Sequence, residues 1–459
     1  MNIRFMTQPM PMPMPMPMLS LVWFKRDLRV HDHPALACAA TLGRVLPVFV
    51  VEPDRWAQPD ASGRHLAFLD ECLQSLRADL AALGQPLILR AGEAVEVLAR
   101  LHAKHGFAQI VSHEETGTIA ERERDTRVAR WLQDKGLRWL VLPQPLAGPV
   151  LAAPELAPVV EGTGALPGFR SLGLVEDRCA FRQSGGRVAA EQALDAFLGA
   201  RAQGPARAPT MLAAERGGSR LSPYLAWGVL SARAVADAAR AQPPGPALRG
   251  LLARLRQREV ARGAPLVEVS AGSGDAALRT AWLAGETGLP FVDAVMRALK
   301  ATGWSSDRGR SLLASVAVHH LGLNPLQTGH DLARLFTDYD PAIHWRELAV
   351  LAGGTVPPRV PDPVLSGQRQ DPQGAFIRRW LPELARLPDA HLHAPWGWPT
   401  ARHLLAGRYP EPVIDPASAT RAARALIRSQ SGAPRREKPP LLIEPGPFGR
   451  ESAQMALDL

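Results

Sequence analysis

Between residues 19 and 142 of this 459-residue chain, five short runs rich in branched and aromatic side chains alternate with four longer stretches of helical periodicity. Such alternation is typical of a parallel sheet with helices on both faces, whose ligands bind at the carboxyl ends of the strands. No glycine-rich phosphate loop follows the first run, so a dinucleotide-binding Rossmann domain lacks its main support. The predicted strands are 19–24, 45–51, 86–89, 109–112 and 138–142, and the predicted helices are 34–40, 64–83, 94–105 and 120–135.

After residue 218 the pattern is helical almost throughout, which predicts a second, all-α domain. The stretch before it is rich in Pro, Gly and Ala, with one helical pattern near 189–198, as expected of a long connector. A Pro-Met alternation at 9–18 forbids a helical signal core and predicts a disordered start. The predicted organisation is an extension at 1–18, an α/β domain at 19–143, a connector at 144–217, an all-α domain at 218–428 and a disordered tail at 429–459.

The composition excludes several classes of protein. Three widely spaced cysteines cannot build a disulfide scaffold or a four-cysteine metal site. No apolar stretch approaches the ~18 residues of a membrane-spanning helix, so we expect a cytoplasmic protein. A net charge of +9 favours a polyanionic partner, but 48 of the 53 basic residues are arginine, a bias that a GC-rich genome also produces. Composition alone therefore does not decide whether the chain binds nucleic acid.

The first predicted strand runs directly into a polar segment, KRDLRVHD at residues 25–32. These side chains fall where the strand ends, at the edge of the sheet that binds ligands. The structural alternative is a charged turn in which Asp32 is the N-cap of the next helix. The residues alone leave both interpretations open.

A second polar segment, SRLSPYL at residues 219–225, opens a predicted helix with Ser222 as N-cap and Pro223 at the first helical position. Amide and hydroxyl donors at a helix start can also hold a phosphate. Taken alone, the segment favours the purely structural helix start.

Arg308 and Arg310 lie in a helical run rich in Leu, Ala and Val. Buried guanidinium groups need partners, and Asp338 and Asp340 further along the chain are the candidates. A structural ion pair is the alternative to a ligand site.

These segments, in this order, resemble the photolyase/cryptochrome family over residues 19–396. They correspond in turn to the family's amino-terminal signature, its flavin phosphate-binding segment, two flavin-cradling segments and the stretch that closes the helical domain. Residues 112–117 (SHEETG) and 338–344 (DYDPAIH) resemble a bacterial subgroup of that family. The five matching segments are 23–29, 219–225, 287–310, 338–340 and 372–384.

The resemblance implies that FAD binds inside the helical domain. Arg310, paired with Asp338, would stabilise an anionic reduced ring, and His344 would face the reactive flavin nitrogen, where photolyases commonly carry asparagine. A histidine there could exchange a proton with the ring, and the alternative is a histidine that only packs. The implied cofactor-binding residues are Ser219, Arg220, Leu221, Ser222, Arg310, Asp338, Tyr339, Asp340 and His344, of which Arg310 and His344 would tune the flavin.

The activity that the resemblance implies is light-driven electron transfer from reduced FAD to a flipped pyrimidine dimer in damaged DNA. The implied DNA-binding positions are Gln257, Arg258, Asp307 and Arg308.

The resemblance also implies an antenna chromophore, a folate or a deazaflavin, in the α/β domain. His113 and Glu114 end a predicted strand on the ligand edge, although a solvated turn is the alternative for these two residues. We expect no bound metal, no membrane contact and a monomer.

Besides His344, three positions depart from the family's repair enzymes. Arg254 and Gln257 stand where a glutamate and a stacking tryptophan are usual, and loss of an aromatic platform removes about 1–3 kcal/mol of base stacking. Asp307 stands where asparagine is common, and a carboxylate there would repel DNA unless it is paired.

The family's flavin-reducing chain of tryptophans is also altered. Leu348 and Pro325 occupy two of its places, and Trp345 and Trp304 are the candidate substitutes. The family's ordinary route of flavin photoreduction is therefore in question.

Three functions follow from this sequence. The first is a photolyase-like lyase that repairs DNA, which the resemblance along the chain favours. The second is a cryptochrome-like blue-light sensor without repair activity, which Gln257 and His344 favour. The third is a degenerate relative with weak flavin binding, since Gly218 replaces a hydroxyl residue in the phosphate segment.

Overall fold

The computed structural model describes residues 18–431 except 206–207, 266–268 and 354–357. Its first domain contains a five-stranded sheet in the order β3-β2-β1-β4-β5, and every adjacent pair of strands is parallel. The predicted doubly wound sheet is confirmed, because the chain leaves the central strand to one side and later returns to the other. The strands are β1 (Met18–Phe24), β2 (Gly43–Val51), β3 (Ile88–Ala91), β4 (Gln109–His113) and β5 (Arg138–Leu142).

Five helices connect these strands, and two of them have clear capping residues. Thr118 and Glu121 form a capping box at the start of α5, and Gly106 ends α4 in the left-handed conformation at φ 62°. The sequence did not predict the helix α2, because its four residues are too few to show a helical period. The helices are α1 (Pro34–Leu42), α2 (Pro53–Trp56), α3 (Gly63–Ala82), α4 (Ala94–His105) and α5 (Ile119–Asp134).

Asp32 is not the N-cap of α1, so that expectation is wrong. His33 is the cap, and its Nδ1 accepts a hydrogen bond from the amide of Leu36 at 2.9 Å. Asp32 instead adopts a left-handed backbone (φ 50°), and its carboxylate accepts from Arg233 Nε at 2.9 Å and from Ser231. The cap moves one residue because a partner from the second domain takes the aspartate.

After residue 186 most of the described chain is helical. The connector contains α6, near the single helix that the sequence predicted there, and α7. The second domain contains thirteen helices among the residues described. In order, the helices are α6 (Arg187–Ala196), α7 (Met211–Gly217), α8 (Ser222–Ala226), α9 (Ala232–Arg240), α10 (Pro246–Gly263), α11 (Ala276–Ala284), α12 (Pro290–Thr302), α13 (Asp307–Ser315), α14 (Pro325–Leu335), α15 (Pro341–Leu351), α16 (Pro363–Gln370), α17 (Ala375–Trp380), α18 (Asp389–Leu392), α19 (Pro399–Leu405) and α20 (Pro416–Ser431).

The helical pattern at 223–241 predicts one helix, whereas the structure has two, α8 and α9. Between them Gly228 has φ 67°, and a Cβ there would lie 2.3 Å from the carbonyl oxygen of Arg26. The chain turns at Gly228 because the end of β1 approaches so closely that only glycine fits. Ser231 then caps α9, accepting from the amide of Ala234 at 2.9 Å.

A run of backbone carbonyls at residues 335–339 joins the two domains. Arg64 donates to Leu335 O at 2.8 Å, and His65 donates through Nε2 to Phe336 O at 2.9 Å. Arg26 donates to Tyr339 O at 3.0 Å. These donors come from the end of β1 and the first turn of α3, so the α/β domain fixes this segment of the helical domain.

The segments at the two ends of the chain were predicted to be disordered, at 1–18 and 429–459. Residues 1–17 and 432–459 lie outside the described residues, Met18 opens β1, and α20 continues to Ser431. Within the described ranges, no helix has both the length and the apolar character to cross a bilayer.

We predict that acid destabilises the folded protein through His65. Burial lowers the pKa of His65 from 6.5 to about 3, so between these values the unfolded chain binds a proton that the folded chain does not. The unfolding free energy should then fall with falling pH, by up to about 1.4 kcal/mol per pH unit from this one residue. Melting temperatures measured from pH 7 to pH 4 should fall less steeply in His65→Gln, which keeps a donor for Phe336 O. The exposed-site variant His403→Gln is the control, and equal slopes in all three proteins would contradict the prediction.

Candidate functional site

Arg310 on α13 pairs with Asp338, as the sequence predicted. Its Nη2 lies 2.5 Å from Asp338 Oδ2, and its guanidinium stacks on the ring of Phe336 at 4.0 Å. Burial alone would lower the pKa of Arg310, but the charge of Asp338 outweighs it and the pKa is raised. Arg310 therefore places a permanent positive charge in the helical domain.

Asp340 pairs with Arg258 and not with Arg308. Arg258 Nη2 lies 2.6 Å from Asp340 Oδ2 and also donates to Leu225 O at 2.8 Å. Burial lowers the pKa of Arg258 to about 10. Burial alone would raise the pKa of Asp340, but the positive charges of the neighbouring arginines outweigh it and lower that pKa. Arg262, which the sequence did not single out, adds a second cation 3.6 Å from the same carboxylate oxygen.

Arg308 lies on a different side of α13 from Arg310, because residues two apart on a helix do not share a face. Its Nη1 donates to the carbonyls of Ala208 and Pro209, both at 3.2 Å. The expected pairing of Arg308 with an aspartate is therefore wrong.

One carboxylate oxygen of each aspartate is left unsatisfied. Asp338 Oδ1 and Asp340 Oδ1 are buried and have no hydrogen-bond partner among the residues that the structure describes. A buried carboxylate oxygen without a donor is costly, so these two atoms indicate a ligand that brings N–H or O–H groups. FAD carries such donors on its flavin ring, its sugar chain and its adenine. The residues present therefore fit the cofactor that the sequence implies.

His344 is neutral and has a fixed tautomer. Burial lowers its pKa to about 4, and its Nε2 donates to Gly329 O at 2.9 Å, which leaves Nδ1 as an acceptor. Its ring makes edge contacts with Tyr339 and Trp345, each at 5.3 Å. At neutral pH His344 can accept a proton at Nδ1 but has none to give there.

The segment 219–225 differs from its prediction at the helix start. Leu221 occupies the N-cap position and Ser222 is the first residue of α8, so Ser222 is not the cap. Arg220 has φ 59°, and its guanidinium stacks on Trp304 at 4.0 Å. A five-residue helix adds little dipole, so phosphate binding by Ser219 and its neighbours stays a prediction from the resemblance. Sequence reasoning considered Trp304 only for electron transfer and missed this stacking role.

The candidate DNA-binding residues are divided between surface and interior. Gln257 and Asp307 are exposed, and Arg308 is half-buried at the surface. Arg258 follows the exposed Gln257 on α10, but its side chain is turned inward and pairs with Asp340. The sequence around Gln257 gives no sign of this orientation. The Arg258 guanidinium is ion-paired with the buried carboxylate, and DNA contact by all four residues stays a prediction.

His113 is not in a solvated turn. It is buried, and its Nδ1 lies 2.6 Å from Asp27 Oδ2, which also lies 3.0 Å from His33 Nε2. Three such side chains can hold a metal, but His33 Nδ1 accepts from an amide and so Nε2 carries the proton. A metal on Nε2 would need the opposite tautomer, so the tautomer of His33 disfavours a metal here. His113 is hydrogen-bonded to Asp27, whereas His33 Nε2 has no hydrogen-bond partner among the described residues.

A cavity of about 280 Å³ lies at the carboxyl edge of the sheet, where an antenna chromophore was expected. Its wall consists mostly of charged side chains, several of them ion-paired, and it includes no aromatic face for a planar pigment. The antenna therefore stays a prediction without an identified pigment. The charged lining residues are Glu52, Asp54, Arg55, Glu93, Glu121, Glu123, Arg124 and Arg127.

Comparison with known proteins agrees with these two domains. Residues 253–429 match the family model described as the FAD binding domain of DNA photolyase, and residues 20–151 match the model described as DNA photolyase. A cryptochrome DASH of Natronomonas pharaonis is 30% identical over 86% of this chain and 98% of its own length. A deoxyribodipyrimidine photo-lyase of Thermus thermophilus is 34% identical over 79% of this chain and 92% of its own length.

The fold also matches a solved structure. A cryptochrome of Synechocystis superposes with a TM-score of 0.79 at 24% identity, covering 89% of this chain and 99% of the other.

We predict that charge reversal at Arg310 removes the cofactor. Arg310→Glu places a second carboxylate beside that of Asp338 and should abolish FAD retention, with a cost to stability of about 3–5 kcal/mol from the broken buried pair. Flavin absorption per protein after purification is the readout, and Arg310→Lys tests the site if the first variant does not fold. Arg256→Glu changes the same charge at an exposed position and is the control. Full flavin retention in Arg310→Glu would place the cofactor elsewhere.

Proposed function

This chain belongs to the photolyase/cryptochrome family of FAD-binding proteins, and from that membership we propose that it is a photolyase-type enzyme. In this proposal blue light drives an electron from reduced FAD to a pyrimidine dimer in DNA, which splits the dimer. The Thermus thermophilus relative at 34% identity carries the name of that activity and supports the proposal.

The proposal depends on two carboxylate oxygens, Asp338 Oδ1 and Asp340 Oδ1, which receive no hydrogen bond from the described residues. Both are buried and sit beside ion-paired arginines, within the residues that match an FAD-binding domain. FAD supplies the light absorption and the transferable electron when it is bound. The protein's task is then to bind, to orient and to set the charge around the ring.

Arg310 and His344 would set that charge. Arg310 keeps its positive charge at any physiological pH and therefore favours a negatively charged ring nearby. His344 is neutral, with its Nε2 proton committed to Gly329 O, so it offers an acceptor and not a donor. A neutral acceptor at this position differs from the asparagine amide of the family, which can also donate.

The alternative function is a cryptochrome-like blue-light sensor without repair. Gln257 favours it, because an exposed amide replaces the aromatic platform on which a dimer would stack. The Natronomonas pharaonis relative is named a cryptochrome DASH, and this name supports the alternative.

A single illumination experiment separates these functions. The purified protein is reduced and illuminated with dimer-containing single-stranded and duplex oligonucleotides, and the recovery of thymine absorbance is followed. We expect recovery in the light, none in the dark, and no change with undamaged DNA. Flavin photoreduction without any recovery would indicate the sensor, and a colourless protein that cannot be reconstituted with FAD would contradict both functions.

We also predict that an aromatic residue at 257 strengthens lesion binding. Gln257→Trp restores a stacking platform on the exposed side of α10 and should tighten binding of dimer-containing single-stranded DNA about tenfold, within the ~1–3 kcal/mol of one stacked base. Affinities for damaged and undamaged oligonucleotides at one salt concentration test this. Val260→Trp adds the same side chain at another exposed position of α10, and an equal gain there would mean non-specific stacking.

A further inference from the structure

The phenol of Tyr339 makes two hydrogen bonds of opposite sense. Its hydroxyl donates to Asp60 Oδ2 at 2.7 Å and accepts from Trp345 Nε1 at 3.0 Å. Asp60 belongs to the α/β domain and precedes α3, whereas Trp345 lies on α15 of the helical domain. Tyr339 and Asp60 are 2% and 3% exposed, so water does not compete for these bonds. An indole, a phenol and a carboxylate thus form one hydrogen-bonded row across the domain boundary.

Arg55 keeps the carboxylate of Asp60 in place without depending on it alone. Its Nη1 lies 3.0 Å from Asp60 Oδ1, and its Nε lies 3.1 Å from Glu121 Oε1. Because Glu121 shares the guanidinium, Arg55 stays paired when Asp60 takes up a proton. Asp60 can therefore act as a base without leaving an uncompensated buried charge.

The row adjoins the candidate flavin site. Tyr339 lies between Asp338 and Asp340 in sequence, and its ring contacts His344 edge-on at 5.3 Å. On the other side it stacks on His65 at 5.7 Å with an interplanar angle of 14°. The phenol is therefore packed into the segment that the cofactor-binding residues occupy.

We propose that Tyr339 is a redox-active residue that supplies an electron to the flavin through Trp345 while its proton moves to Asp60. The proposal rests on the proposed function, because the electron acceptor is the photoexcited flavin. Trp345 would give one electron to the photoexcited oxidised flavin and regain it from Tyr339, and the phenol O–H bond would break as Asp60 Oδ2 gains the proton. An added thiolate would then return one electron to the tyrosyl radical, itself becoming a thiyl radical, and the proton would go back from Asp60 to the phenol oxygen.

Simultaneous proton loss is required by the surroundings of the phenol. Burial, with the negative charge of Asp60, raises the pKa of Tyr339 far above its ordinary value, so a phenolate does not form first. Oxidation without proton loss would leave a cationic phenol in a buried site. The 2.7 Å bond to a carboxylate provides the only acceptor for the phenol proton that the hydrogen bonds of the described residues show.

The chain offers a matched control for this tyrosine–aspartate pair. Tyr409 donates to Asp293 Oδ2 at 2.5 Å, and both residues are buried within the helical domain. Tyr409→Phe therefore removes the same kind of hydrogen bond at a place where the bond is only structural.

The test uses the full chain with bound FAD, illuminated with added thiol, and rates are normalised to bound flavin. In the parent protein we expect a transient tyrosyl radical by electron paramagnetic resonance, which narrows when the tyrosines are ring-deuterated. Tyr339→Phe should lose the radical and slow photoreduction about tenfold or more, the scale of losing a positioned base. Asp60→Asn should slow the reaction similarly and abolish its solvent deuterium isotope effect, since an amide cannot take the proton. Tyr409→Phe should behave like the parent.

The outcomes are distinct. If Tyr339→Phe binds FAD and photoreduces at the parental rate, the inference is overturned while the proposed function stands. If Tyr339→Phe does not fold, Trp345→Phe decides, because it removes only the indole that donates to the phenol, and parental photoreduction there also overturns the inference. A parent protein that cannot bind FAD overturns both the inference and the proposed function.

Discussion

The hydrogen bonds from the α/β domain to the carbonyls of residues 335–339 are the constraint on which the candidate site depends. Arg64, His65 and Arg26 hold three of these carbonyls, and Trp227 holds Thr337 O at 3.2 Å while its ring packs in the α/β core. Unsatisfied buried carbonyls are costly, so this segment cannot move without moving the other domain. Asp338 and Asp340, which carry the open acceptor oxygens, are therefore positioned by side chains outside their own domain.

The arginine content has a structural explanation as well as a compositional one. Arg310, Arg258, Arg233 and Arg124 each end on a buried carboxylate, and Arg124 alone contacts Glu52, Glu115 and Asp125. A planar guanidinium with five donors satisfies several acceptors at once, which an ammonium group cannot do. These internal ion pairs explain part of the arginine content, but each also uses a carboxylate, so they leave the net charge of +9 unchanged.

The errors of sequence reasoning share one cause, which is that a partner from a distant segment decided the outcome. Asp32 looks like a helix cap, but Arg233 and Ser231 claim its carboxylate and His33 caps the helix. The continuous helical pattern at 223–241 is broken because β1 approaches Gly228. Arg308 was expected to pair with an aspartate, but it donates to the carbonyls of Ala208 and Pro209. None of these partners is near in sequence, so no local pattern could reveal them.

The sequence by itself determined the elements that local periodicity governs. The five strands, four of the five helices between them and the all-α second domain follow from the spacing of apolar residues, and the Arg310–Asp338 pair follows from a charge in an apolar helix. The tertiary structure alone decided which oxygens of Asp338 and Asp340 stay open, which tautomer His344 holds, and that the phenol of Tyr339 meets Asp60 of the other domain. Periodicity reports which face of an element is buried, whereas hydrogen-bond partners depend on the side chains that folding brings from elsewhere in the chain.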